Sequence, residues 1–220
     1  MKSRQEIKAI AKEAMARQRG AAILIILAVA LVSSAGALFA RIPIIGSLFS
    51  LAISFITMAL SVSVNSSFIR VYCGEKASVG DTFSGLAVNF FRKVGGMYWM
   101  SLWIFLWSML LVVPGVIKSL AYSMTPYILA DCPEVNATDA LKLSMRMTDG
   151  HKGELFVFAL SWIGWGLLIP VTFGILGIVH VIPYYSTAMA GYYIELRDLA
   201  IDSGMILPEE LGYAYEEVAD

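Results

Sequence analysis

Long uncharged segments alternate with short charged ones along the 220-residue chain. Runs without Asp, Glu, Lys or Arg cover residues 20–40, 42–69, 94–117, 119–130 and 155–194. Because about 20 residues of apolar helix cross the hydrocarbon core of a bilayer, several of these runs are long enough for one or two crossings. The pattern therefore predicts a membrane protein that crosses the bilayer repeatedly.

The segment 97–131 shows this pattern most clearly, since it is apolar and aromatic with one lysine, Lys118, before its final Asp131. It is too long for one crossing and suits two. Pro114-Gly115 lies near its middle, where proline removes a backbone donor and glycine permits a sharp bend. We therefore predict a helical hairpin that runs to Val113, reverses at Pro114-Gly115 and returns to Leu129.

The whole sequence predicts an all-α fold, a polytopic bundle of six transmembrane helices arranged as three hairpins. The expected spans are residues 21–40, 44–69, 94–113, 115–130, 154–172 and 178–196. Residues 1–197 would form a single membrane domain. Residues 198–220 are acidic, and we expect this cytoplasmic tail to be partly disordered and solvated.

A short amphipathic helix is predicted before each hairpin. In residues 3–19, Ser3 and Glu6 have the spacing of a capping box, and one apolar stripe follows at helical spacing: Ile7, Ile10, Ala11, Ala14 and Met15. This helix can lie in the lipid headgroup layer or pack on the cytoplasmic end of the bundle. Similar helices are expected to begin near Ser78 or Asp81 and near Asn136.

Composition and charge agree with a membrane location. The chain is 58% hydrophobic and 15% charged, with a net charge of −1, whereas soluble domains have about 25% charged residues. All 16 lysines and arginines except Arg41 and Lys118 fall in segments predicted to lie inside, which places both termini in the cytoplasm. No basic face for nucleic acid is evident. The single cysteines Cys73 and Cys132 predict neither a disulfide nor a metal site.

A few polar residues in or near the spans are candidates for a role. Arg41, Lys118 and His180 are candidates for an outward-facing contact with a lipid headgroup or anion, although interface anchoring explains them as well. A polar seam between helices is a second candidate, and helix packing is its alternative. The seam would contain Asn65, Tyr122, Thr125, Tyr127, Tyr184, Tyr185 and Tyr192.

Motifs for catalysis are missing from the sequence. It contains no zinc-protease, nucleophile-elbow, phosphate-loop or dinucleotide-binding pattern. A dyad of Asp131 and His151 is conceivable but has no placed nucleophile. We therefore expect no enzymatic activity, no cofactor and no metal.

Several separate stretches carry a family resemblance that spans nearly the whole chain. They are residues 114–131, Ala140–Ser144, Gly150-His151-Lys152, Leu155-Phe156, Trp162–Gly166, Pro183-Tyr184 and Tyr192-Tyr193. Together they resemble the uncharacterised bacterial integral membrane proteins grouped as "domain of unknown function 975", found mostly in Firmicutes. The resemblance implies a six-span protein of the bacterial cytoplasmic membrane and brings no established activity.

Two functions remain open on this basis. The first is a non-catalytic membrane module that binds membrane lipids, another membrane protein or a second copy of itself. The alternative is a small transporter, or a transporter subunit, for a lipid-like or apolar solute. A continuous polar cavity reaching mid-membrane would favour the transporter, and a solid core would favour the binding module.

Overall fold

The computed structural model describes residues 2–39 and 45–213. Within these residues the chain is helical and contains no strand, so the predicted all-α class is confirmed. The helices are α1 Arg4–Arg17, α2 Arg19–Phe39, α3 Ile45–Tyr72, α4 Val79–Ala87, α5 Phe90–Leu110, α6 Val112–Ala121, α7 Thr125–Asp131, α8 Ala137–Met147, α9 Lys152–Leu160, α10 Ile163–Val171 and α11 Ile182–Asp202. A π-helical turn, Gly177–Val181, precedes α11, and a 3₁₀ turn, Pro208–Leu211, follows it.

Two helical segments are long and apolar enough to cross a membrane. They are Gly46–Tyr72, within α3, and Lys152–Val171, which joins α9 and α10. Helices α1 and α2 meet at 88° and give a third candidate only when this bent pair is taken as one span. Among the described residues the structure thus has two or three candidate spans, where the sequence predicted six.

The predicted hairpin is present, but its reversal lies three residues earlier than expected. Helices α5 and α6 pack against each other across Leu111, which is extended with φ −159° and ψ 143°. Pro114 lies in the first turn of α6, where a missing N–H costs no helical hydrogen bond. Gly115 serves close packing, because a Cβ there would come within 2.8 Å of Ser108 Cα.

The predicted fourth span is broken into α6 and α7, with an open turn at residues 122–124. Side chains of helix α8 form hydrogen bonds with backbone groups at this break. The Ser144 hydroxyl donates to the Ala121 carbonyl at 2.8 Å and accepts from the Met124 N–H at 3.2 Å. Thr148 Oγ1 also donates to the Ala121 carbonyl, at 3.3 Å. Buried backbone groups need such partners, and Ser144 and Thr148 are both fully buried.

Helix α11 is the centre of the core and packs against α1 and α3. Gly191 lies where these three helices meet, since a Cβ there would come within 2.4 Å of the Tyr72 ring and 3.0 Å of Ile7 Cγ2. Tyr192 and Tyr193, next along α11, are fully buried. Only a residue without a side chain fits this crossing at the observed separation.

The N-terminal helix α1 rests on the protein. Its predicted capping box is confirmed, with the Glu6 N–H donating to Ser3 Oγ at 3.3 Å and the Ser3 N–H donating to Glu6 Oε2 at 2.7 Å. Four stripe residues, Ile7, Ala11, Ala14 and Met15, are buried. Of the two placements open from the sequence, packing on the bundle is therefore correct, and an apolar stripe facing the headgroup layer is wrong.

Burial is concentrated at one end of the long helices. In α5 and α9 the buried side chains belong to the first two turns, and in α3 they lie almost entirely in the second half, from Ala59 onward. No residue of α10 is buried. The packed ends adjoin α1, α4 and α8, and the other ends present bare apolar surface. The four residues Leu110–Val113 show this best, since each is at least 64% exposed.

The acidic tail is more ordered than predicted. Helix α11 continues to Asp202, and the chain then folds back so that Ile206 and Leu211 are buried. Arg146 Nη1 of α8 donates to Glu210 Oε1 at 2.6 Å. The expected solvation of the tail is therefore wrong for this part of it, because residues 198–213 are folded, bury apolar side chains and form an ion pair with α8. Residues 214–220 lie outside the described part of the chain.

We predict that Ser144→Ala lowers the free energy of unfolding by about 1–3 kcal/mol, because it leaves a buried N–H and a buried carbonyl with fewer partners. Unfolding can be followed by titrating the purified protein with SDS in mixed micelles. Ser119→Ala is the matched control, since the Ser119 hydroxyl bonds only the Val116 carbonyl of its own helix, and we expect a change within about 0.5 kcal/mol. Equal effects of the two substitutions would contradict the assigned role of Ser144.

Candidate functional site

A cavity of about 680 Å³ opens between the second half of α3, helix α4, the start of α5 and the end of α7. Its deepest residues are Ser63, Ser67 and Lys93, which are 2%, 5% and 6% exposed. Its rim contains exposed residues of the loop after α3, among them Glu75. The cavity thus combines a buried cation and hydroxyl groups at its floor with an open mouth.

Lys93 owes its burial to its position in the first turn of α5, facing α3 and α4. Its Nζ donates to the Gly85 carbonyl at 2.6 Å and to Ser63 Oγ at 3.2 Å. Both partners are neutral, and no carboxylate of the described residues forms an ion pair with this ammonium. Burial lowers the pKa of Lys93, and the positive charge of Arg92 lowers it further. The floor of the cavity therefore holds a cation that the described chain does not neutralise.

Arg92, the neighbour of Lys93, has a structural role on the other side of α5. Its guanidinium donates to the carbonyls of Leu129 at 2.6 Å, Cys132 at 3.2 Å and Val135 at 2.5 Å. The carbonyls of Leu129 and Cys132 lie at the end of α7, where helical partners run out, and that of Val135 lies in the loop that follows. Arg92 therefore caps α7 and fixes it against α5, which helps to hold the wall of the cavity.

Asp131 joins three parts of the chain at one carboxylate oxygen beside the cavity. Its Oδ2 accepts from Tyr193 Oη at 2.8 Å, Tyr213 Oη at 2.9 Å and Arg197 Nη1 at 3.0 Å. Arg197 also pairs with Asp198, at 2.9 Å. We call these four groups, Asp131, Tyr193, Arg197 and Tyr213, the Asp131 cluster. It connects α7, α11 and the returning tail, although these residues are far apart in sequence.

Cys132 lies against the Asp131 cluster and does not behave as an activated nucleophile. Its Sγ is 3.9 Å from both Tyr193 Oη and Tyr213 Oη. Burial raises the pKa of the Cys132 thiol, and the nearby Asp131 carboxylate adds to this effect. Burial also raises the pKa of Tyr213, so that its phenol remains a donor at neutral pH. A protonated thiol among phenols is a packing group, because reactive cysteines need a stabilised thiolate.

The structure does not bring together the outward-facing residues predicted from the sequence. Lys118 Nζ lies 5.3 Å from the Trp107 ring and 3.8 Å from Met145 Sδ, beside α8. His180 lies in the π-helical turn, with its ring 5.6 Å from that of Trp165. No described contact joins Lys118 to His180, and Arg41 lies outside the described residues. A shared lipid or anion contact of these three residues stays a prediction.

The predicted polar seam is divided between separate packing sites. Tyr184, Tyr185 and Tyr192 surround Phe158 and Trp162 in an aromatic cluster, with ring centroids 4.7–5.8 Å apart. Lys8 of α1 lies 4.9 Å from the Trp162 ring. Tyr127 stacks instead on Tyr193 at 5.7 Å, Tyr122 lies beside Lys118, Thr125 is fully buried, and Asn65 is half-buried. Helix packing, the alternative given above, accounts for these tyrosines.

No three His, Cys, Asp or Glu side chains converge among the described residues in a way that could hold a metal ion. Asp131 and His151 do not meet as a dyad. Asp131 belongs to its cluster, whereas His151 lies at the start of α9 beside a second cavity, which Lys2 and Glu154 also line.

The buried Lys93 and the Asp131 cluster are the features that sequence reasoning missed. In the sequence, Lys93 stands beside Arg92 at the end of a segment predicted to be a cytoplasmic loop, and nothing in its spacing marks it as buried. The pairing of Asp131 with Arg197 and Tyr213 depends on the tail folding back onto the bundle. The acidic composition of the tail predicted a solvated segment instead. One sequence feature does point to the region of the Asp131 cluster: the stretch that ends at Asp131 carries part of the family resemblance.

We predict that Asp131→Asn lowers the free energy of unfolding by about 1–2 kcal/mol, because it removes the charge that Arg197, the buried Tyr193 phenol and the half-buried Tyr213 phenol face. Asp198 still pairs with Arg197 and limits the loss. Asp139→Asn is the control, since its pair with Lys142 is at least half exposed and is worth less than about 1 kcal/mol. The same SDS titration measures both variants, and an Asp131→Asn protein as stable as the control would refute this role of the cluster.

A comparison with protein families accounts for nearly the whole chain. The family model described as "Protein of unknown function (DUF975)" matches residues 1–118 and 96–200. No curated protein matches the chain, and no solved structure does. The matched residues include the packed helix ends, the cavity and most of the Asp131 cluster. The chain belongs to the DUF975 family of proteins of unknown function.

Proposed function

We propose that this chain is an integral protein of the bacterial cytoplasmic membrane that acts as a non-catalytic module and binds membrane lipids or other membrane proteins. In this proposal the chain crosses the bilayer six times and keeps both termini in the cytoplasm. Helices α6 and α7 together make the fourth crossing, and α8 covers the break between them. The partner can be a second copy of the chain.

The exposed apolar ends of the helices carry this proposal. Leu31 of α2, Val112 at the hairpin and Val171 of α10 are 72–75% exposed, and large apolar neighbours surround each in sequence. Soluble monomers rarely expose apolar patches larger than a few hundred Å². In a bilayer the same side chains meet hydrocarbon, so their exposure has no hydrophobic cost.

The distribution of charge supports the orientation. Lysines and arginines concentrate in the segments around α1, α4 and α8, at the packed end of the bundle, and the bacterial inner membrane retains such segments in the cytoplasm. Lys118 is the exception among described residues, and its contact with the Trp107 ring allows a cation at membrane depth.

The cavity favours binding over transport. A transporter needs a polar path at mid-membrane, but the main cavity adjoins Cys73, Glu75 and Pro133 in the loops. Pro170 inside α10 and the π-helical turn are points where helices can bend, yet neither lines one of the main cavities of the described chain. Within the described residues, a lipid-like cargo thus has a place to dock at one end of the bundle, and none of these cavities involves the bending points of the helices.

We predict that Cys73 reacts with a membrane-impermeant maleimide only after the cytoplasmic membrane of whole cells is permeabilised. Its side chain is exposed, whereas Cys132 is buried, so the wild-type chain has one accessible thiol. Cys73→Ser should abolish the labelling. In that background Arg41→Cys, in a turn that the sequence predicts to lie outside, should be labelled without permeabilisation. Labelling of Cys73 in intact cells would overturn the proposed topology.

A further inference from the structure

We propose that the cavity above Lys93 binds the phosphate group of a membrane phospholipid, with the Lys93 ammonium and the serine hydroxyls as donors. This inference rests on the proposed membrane location and deepens it by naming the ligand and the residues that hold it. The shared chemistry is a phosphate ester, which a lipid headgroup or a soluble phosphate ester could supply.

The first argument is the unbalanced charge of Lys93. A buried ammonium is costly unless an opposite charge faces it, and Lys93 is 6% exposed with only a carbonyl and a hydroxyl as partners. An ammonium has three N–H donors, and these two partners use two of them. A phosphate oxygen in the cavity would take the third and supply the missing negative charge.

The second argument is the set of hydroxyl groups around the ammonium. Ser63, Ser66, Ser67 and Ser84 all line the cavity. Ser63 and Ser67 are committed to helix carbonyls and to Thr82, whereas the Ser66 hydroxyl forms no hydrogen bond with the described residues. Ser84 is exposed, and its hydroxyl donates to the Asp81 carbonyl. Hydroxyl groups can reorient to donate to an anion, so Ser66 first, and the bonded serines after reorientation, can offer a phosphate donors besides the lysine.

The third argument is the pairing of the other charges in the wall. Arg70 pairs with Asp81 at 3.6 Å, and Arg197 pairs with Asp131 at 3.0 Å. The other two charged residues that line the cavity are Lys93, at the floor, and Glu75, which is exposed at the rim. Water screens the exposed carboxylate far better than the buried ammonium, so the floor favours an anion.

The position of the cavity favours a lipid as the source. Lys93 directly precedes the third predicted span, residues 94–113, and Ser63 and Ser67 lie in the second half of the candidate span Gly46–Tyr72. In the proposed topology these residues lie where the hydrocarbon core meets the cytoplasmic headgroups. A volume of about 680 Å³ is within the range of ligand sites and exceeds what a bare phosphate needs.

The test uses the full-length protein in uncharged detergent, with its thermal unfolding followed during titration with dioctanoyl phosphatidylglycerol. We expect saturable stabilisation of the wild type, and an apparent Kd at least tenfold higher in both Lys93→Met and Ser66→Met. The first variant removes the charge, and the second fills the cavity without touching the contact of Lys93 with Gly85. Lys142→Met, which removes an exposed lysine, should keep its Kd within twofold of the wild type.

Two further titrations identify the source of the phosphate. Dioctanoylglycerol, which has the same chains without phosphate, should give no saturable shift that depends on Lys93. Glycerol 3-phosphate should bind at least tenfold more weakly than the lipid, and equal or tighter binding would overturn the assignment to a lipid. Unchanged phosphatidylglycerol binding in Lys93→Met and Ser66→Met would overturn the site itself. That failure is distinguishable from failure of the proposed function, because the labelling of Cys73 reports the topology independently.

Discussion

The medium around each part of this chain, hydrocarbon or water, decides which of its groups need a partner within the protein. In hydrocarbon, apolar side chains can remain exposed, whereas open backbone and charged groups need partners within the protein. At one end of the bundle apolar side chains are exposed, since no residue of α10 is buried and Leu110–Val113 are bare. At the other end the helices form a packed core around α11.

The need of open backbone for partners is clearest where helices are interrupted. Between α6 and α7 the helix is broken, and the Ser144 and Thr148 side chains form hydrogen bonds with the backbone groups there. Arg92 does the same for the end of α7. These contacts make α8 and the start of α5 part of one polar framework, and the cavity above Lys93 lies within it. The site is therefore a consequence of how the bundle ends are closed.

The sequence predicted what depends on local pattern. Helical periodicity and the capping box of Ser3 and Glu6 gave α1, and the aromatic run gave the hairpin of α5 and α6. Local pattern could not show where the hairpin turns, because Pro114 fits a first helical turn as well as a loop. It also could not show which apolar helix lies at the centre of the core, as α11 does by burying Tyr192 and Tyr193.

Contacts between distant residues were beyond sequence reasoning. Arg197 could be counted as a cytoplasmic charge, but its partner Asp131 lies 66 positions away. The burial of Lys93 depends on how α4 packs over α3, which no spacing rule encodes. The candidate site was therefore missed, while the predicted tyrosine seam divided into aromatic packing sites.

The central claim is that the exposed apolar helix ends face lipid, and quenching of tryptophan fluorescence by brominated phospholipid tests it most directly. Two single-tryptophan proteins, reconstituted in mid-chain dibrominated lipid, suffice: one keeps Trp103, which is 37% exposed in α5, and the other keeps Trp162, which is 8% exposed in the aromatic cluster. The account predicts strong quenching of Trp103 and weak quenching of Trp162. Trp103 fluorescence that resists the lipid and is quenched by aqueous acrylamide would contradict it.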